Sequence, residues 1–187
     1  MKHYYQYIIL LLLTIFLPLS ILAKEIPQRP NPPKLVNDFA GVLSAEQLAA
    51  LEYKLSKYND TTSTQIAIVI EYSIENDEPF DYAVRLAQAW GIGQKGKNNG
   101  LLIYVALQER KIRILVGYGL EAIVTDAYAK RIIEEVIKPA FKNQQYYEGL
   151  DNATNYLIGA LSGQFKGDGS GKGLKLTGKT IFIFLII

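Results

Sequence analysis

Three short stretches of this 187-residue chain place carboxylate or amide oxygens beside glycines. They are Val36-Asn-Asp38 with Ala40-Gly41, Asn98-Asn99-Gly100, and Gly117-Tyr-Gly119-Leu-Glu121 followed by Asp126. Oxygen ligands unaccompanied by imidazole or thiol suit a hard cation, Ca²⁺ or Mg²⁺. The same residue types also have a plainer use, since Asn98, Asn99 and the glycines make tight turns and Asp126 caps a helix. Residue by residue the plainer use is favoured. The three loops taken together look better as a site.

Other chemistries are harder to build. The chain has no cysteine, which excludes disulfides, thiolate metal sites, cysteine nucleophiles and a lipidated N-terminal cysteine. Its single histidine, His3, precedes the domain, so the domain itself lacks imidazole for zinc or general-base work. Two nucleotide motifs are coincidences. Gly173 to Thr180 satisfies the P-loop expression, but a glycine-rich stretch precedes it and only seven apolar residues follow. Gly91-Ile-Gly-Gln-Lys-Gly96 matches a dinucleotide fingerprint but lies after a helix and before a strand, the reverse of the required order. No nucleotide cofactor is expected.

Charge excludes another class. The formal net charge is +2, with no strongly basic field for nucleic acid. Lys24 to Gly163 carries 15 basic and 17 acidic residues, whereas the tail from Gln164 has four lysines against Asp168.

The two ends read as targeting elements. Lys2 and His3 precede an apolar run from Ile8 to Leu22, and Ile21-Leu22-Ala23 offers a small residue at a cleavage position. That order describes a secretory signal over residues 1–23, and hence export to the periplasm or the extracytoplasmic face of a membrane. Residues 24–34 contain Arg29-Pro-Asn-Pro-Pro33 and read as an extended linker. Residues 164–179 form a Gly/Lys-rich tether, and 180–187 begin an apolar segment that reads as the first part of a transmembrane helix.

Between these ends lies one domain, residues 35–163. Ser44-Ala-Glu-Gln47 is a capping box, and Leu48, Leu51 and Leu55 share one face of a helix lasting to about Tyr58. Gln65 to Ile70 and Leu101 to Leu107 read as strands buried on both faces, joined by a helix from Pro79 to Trp90. Lys111 to Val116 reads as an antiparallel neighbour. Helices over about 126–138 and 147–161 complete an α/β fold, a three-layer α/β/α sandwich with a small mixed central sheet.

These residues resemble a known family. Val36-x-Asp38-x-Ala40-Gly-Val-Leu43 is similar to the opening signature of TPM domains. Trp90-x-Ile92-Gly93, Asn98-Asn-Gly100, Gly117-x-Gly119-x-Glu121, and Pro139-x-Phe141 with Tyr146 and Gly149 follow in the family's order. The resemblance implies an exported α/β/α sandwich, often tethered to a membrane. Relatives include thylakoid lumen proteins, some with acid phosphatase activity and some that bind calcium. It also implies Asp38, Asn99, Glu121 and Asp126 as ligand positions for Ca²⁺ or Mg²⁺. Thr125 departs from the family, which often has proline there. Two functions compete: a binding or assembly module serving membrane-protein complexes, and a divalent-metal-assisted acid phosphatase in which Asp38 or Glu121 orients water.

Overall fold

The computed structural model describes residues 24–163. Among them four strands form one sheet in the order β1-β2-β3-β4: Val36–Asp38, Gln65–Glu71, Gly100–Ala106 and Lys111–Val116. β1 and β2 are parallel, β2 and β3 are parallel, and β4 turns back antiparallel to β3. The sequence reading leaves β1 as a loop. Three residues are too few to show alternation, and pairing with the buried β2 is what extends them.

The apolar runs of β2 and β3 are buried because both faces carry a core. Ile66, Ile68, Ile70, Leu101, Ile103 and Val105 face one side; Ala67, Val69, Leu102, Tyr104 and Ala106 face the other. The first face is covered by helix α1 (Ala45–Thr62) through Leu51 and Leu55 and by α5 (Tyr146–Leu161) through Leu150 and Leu157. A third helical stretch, contributing Ile132, Val136 and Ile137, packs on that side too. Among the described helices only α2 (Pro79–Trp90) covers the second face, through Tyr82, Ala83, Leu86 and Trp90, with Ile74 from the loop before it. The result is the expected sandwich with unequal outer layers.

Local signals set the helix ends. Ser44 and Gln47 close the capping box of α1, with Gln47 N–H donating to Ser44 Oγ and Ser44 N–H to Gln47 Oε1. Glu78 caps α2 by accepting from Phe80 and Asp81 N–H, and Pro79 opens the first turn. The third stretch runs as α3 (Asp126–Ile132), a wider π turn (Ile133–Ile137) and α4 (Lys138–Lys142). Pro139 supplies no N–H, and the wider turn just before it accommodates that loss, so the helical path outlasts the expected end near Lys138.

The start of the segment read as an extended linker lies against α2 as a strap. Ile26 packs on the second core, Pro27 carbonyl accepts from Trp90 Nε1 at 2.8 Å, and Arg29 donates to Trp90 carbonyl. The expected signal, tether and apolar end lie outside the described residues. Among the described residues no helix is long and apolar enough to cross a membrane.

Candidate functional site

The register separates the expected cation ligands. Asp38 pairs with Ile70 near the carboxyl end of β2, while Gly100, just after Asn99, pairs with Gln65 at its amino end. At about 3.3 Å per residue, Asp38 and Asn99 stand roughly 20 Å apart along the strands. Oxygens sharing one calcium ion each lie within about 2.6 Å of it. The four residues therefore do not fit a single ion. Among the described residues no group of three His, Asp or Glu side chains has a metal-binding arrangement.

Asp38 and Asn99 have other work. Asp38 accepts four backbone N–H groups: Ala40 and Gly41 on Oδ1, at 3.0 and 2.8 Å, and Val42 and Leu43 on Oδ2, at 2.7 and 2.8 Å. It ties β1 to the start of α1. Asn99 is buried, its Oδ1 accepting from Gln94 N–H at 2.9 Å and its Nδ2 donating to Ser63 carbonyl at 2.7 Å. Asn99 thus staples two loops at the amino end of the sheet.

The second and third glycine loops do meet there. Gly119 N–H donates to Asn98 carbonyl at 3.0 Å, and Gly117 N–H to Gly100 carbonyl at 2.8 Å. A Cβ on Gly117 would lie 2.3 Å from Asn98 oxygen, so only glycine allows this approach. Glu121 follows on the same loop, exposed. Asp126, also exposed, opens α3, with Thr125 supplying the cap to Tyr128 N–H.

Two further constellations carry charge. The first is a buried polar cluster at the carboxyl ends of β2 and β3. Glu71 Oε2 accepts from Tyr104 hydroxyl at 2.8 Å, and Glu71 Oε1 pairs with Lys24 Nζ at 2.8 Å. Burial pushes the Tyr104 and Tyr82 phenols well above their ordinary value, and the Glu71 charge adds to this. Both stay neutral through the physiological range and cannot serve as bases. The only sequence signal for this cluster was a carboxylate ending an otherwise apolar strand.

The second is a groove of about 330 Å³ between β4 and the helical stretch from α3 to Lys138. β4 is the sheet edge on this side. Arg110, Lys111, Arg113, Lys130 and Lys138 line the groove against Asp126 and Glu134, over an apolar floor of Ile112, Ile114 and Ile133. Glu134 is paired with Lys138 at 2.6 Å, which leaves a marked cationic excess. Strand periodicity predicts β4, but not which helix stands beside it, so sequence reasoning missed the groove. Asp126 is the one expected ligand residue that lines it.

A small mixed sheet with one helix on one face and three helical stretches on the other defines a compact α/β/α class. The chain belongs to the TPM domain family, whose profile matches residues 36–160. It is similar to the N-terminal domain of a protein from P. gingivalis solved by NMR: 31% identity, a TM-score of 0.68, covering 77% of this chain and 95% of that one. It is also similar in fold to the BA42 protein from the psychrophilic bacterium Bizionia argentinensis, with 24% identity, a TM-score of 0.59, and coverage of 70% and 90%. The N-terminal domain of the cg2496 protein from Corynebacterium glutamicum shares the fold at 17% identity, with a TM-score of 0.52 and coverage of 83% and 94%. No curated protein matches the chain.

Proposed function

We propose that this TPM domain is exported, tethered to the envelope membrane by its C-terminal apolar segment, and acts as a binding or assembly module. Its occupant is an extended acidic segment of a partner protein, laid along β4. The observation that carries this is the cationic groove beside the edge strand β4. An edge strand offers backbone hydrogen bonds to an added strand, and five nearby cations select for acidic side chains. Signal-like and tether-like ends support placing the domain among envelope proteins.

The test is fluorescence anisotropy with a labelled peptide of alternating Glu and Val. Saturable binding is expected, weakened about tenfold or more by Lys111→Glu with Lys130→Glu, at unchanged melting temperature. Equal binding by wild type and the charge-reversed protein would remove the groove from the proposal.

The acid phosphatase reading is favoured by one observation, a carboxylate, Asp126, among cations able to hold a phosphoryl group. It requires that Asp126→Asn abolish hydrolysis of a phosphomonoester by the purified protein. Hydrolysis that survives this change belongs elsewhere.

A further inference from the structure

Lys24 is the residue that the expected cleavage after Ala23 would make the new amino terminus, and the fold holds it at both of its nitrogens. Its backbone N–H donates to Asp77 Oδ2 at 3.1 Å. Its Nζ donates to Glu71 and to the Ser73 carbonyl. Arg85 also reaches Asp77, and its Nη1 donates to the Lys24 carbonyl at 3.3 Å. Both cations lie over the Tyr82 ring, at 5.4 and 5.5 Å from its centre.

The charges around Lys24 do not balance. Glu71, Asp77 and Glu109 contribute three carboxylates. Burial would raise Glu109, but hydrogen bonds from Ser73 and Ile74 and the Lys24 charge together hold it below its usual range. The Lys24 side chain and Arg85 contribute two cations. Three of its members are well covered, the side chains of Glu71, Asp77 and Lys24 being 7%, 12% and 15% exposed, while Glu109 is half-buried and Arg85, 38% exposed, closes the outer side. Two buried polar atoms have no hydrogen-bond partner there, Glu109 Oε2 and the hydroxyl of the fully buried Tyr82. The cluster is one positive charge short, and a carboxylate already touches the nitrogen where that charge would form.

We propose that this cluster is a receptor for the chain's own processed amino terminus. Hydrolysis of the Ala23–Lys24 bond consumes one water, leaving a carboxylate on Ala23 and an amine on Lys24. With an ordinary pKa near 8, that amine takes a proton at neutral pH. The resulting α-ammonium ion-pairs with Asp77 and completes the charge balance. Processing thereby clamps the strap onto α2, and the mature domain is tighter than its precursor. This rests on the export reading, because it needs residues 1–23 to be removed.

The test compares two purified proteins ending at Ile187, one beginning at Lys24 and one carrying a Gly-Ser-Gly-Ser extension before Lys24. The extension keeps every side chain and returns the α-nitrogen to a neutral amide. The free amino terminus should raise the melting temperature by about 3 °C, the order expected for one partly buried ion pair in a domain of this size. In an Asp77→Asn background the difference should vanish, whatever that substitution does to the baseline. Equal melting temperatures, or a difference that persists in the Asp77→Asn background, would overturn the receptor. Intact mass of the protein from envelope fractions reads the export proposal separately. Retention of residues 1–23 would sink processing even where the purified proteins differ.

Discussion

Asp38 carries the oxygens that most invite a cation, yet both are taken up by backbone amides. A carboxylate accepting several N–H groups contributes more than a neutral acceptor, about 1.5–3 kcal/mol for hydrogen bonds of this charged kind. Asp38→Ala is expected to lower the unfolding free energy by about 3 kcal/mol, read by urea denaturation. A loss under about 0.5 kcal/mol would mean the turn holds itself. The two buried tyrosines give a sharper contrast. Tyr104→Phe strands a Glu71 oxygen and should cost about 1.5 kcal/mol, whereas Tyr82→Phe removes a hydroxyl that has no partner and should cost under about 0.5 kcal/mol. Their phenols are raised in the folded state, so the unfolded chain loses those protons first as pH climbs. The associated stability is complete below about pH 10 and drains away above it. Urea midpoints at about pH 9 and pH 11 should show that fall, and a Tyr82→Phe, Tyr104→Phe double variant should flatten it.

At the scale of elements, glycine placement decides how loops meet. Gly117 follows β4 and presses on Asn98, which precedes β3. Any Cβ there strikes a backbone carbonyl that cannot rotate aside as a side chain would. Gly117→Ala is expected to cost about 2–3 kcal/mol, a clash comparable with overpacking a core. A crystal or NMR structure of the variant would show the two loops parted, and unchanged stability would show them to be loosely held. Most elements were legible in the sequence for local reasons. The Ser44–Gln47 box, Pro79, and the continuous apolar runs of β2 and β3 each encode their own conformation. β1 and the π turn were not, because one needs a neighbouring strand and the other follows from how a helix absorbs Pro139.

At the scale of the molecule, charge is arranged by face. The described domain is slightly acidic, yet one edge groove is cationic and the α2 face holds a compact set of carboxylates. Binding of an acidic strand at the groove should therefore weaken steeply between about 0.05 and 0.5 M salt, since screening shortens to a few ångströms over that range. Anisotropy titrations across that series give the slope. Salt-insensitive binding would point to the apolar floor alone.

The chain's local order was enough to set the helices, the buried strands, the family and the shortlist of oxygen-bearing residues, because caps, turns and periodicity act over a few positions. Which of those residues share a neighbourhood was decided by strand register alone. Pairing Asp38 with Ile70 and Gly100 with Gln65 sends Asp38 and Asn99 to opposite ends of the sheet. The same long-range packing brings Lys24 to Asp77, 53 positions away, and sets five cations around one edge strand. No short-range rule encodes such contacts, since they arise only when separate segments bury their apolar faces against a common sheet.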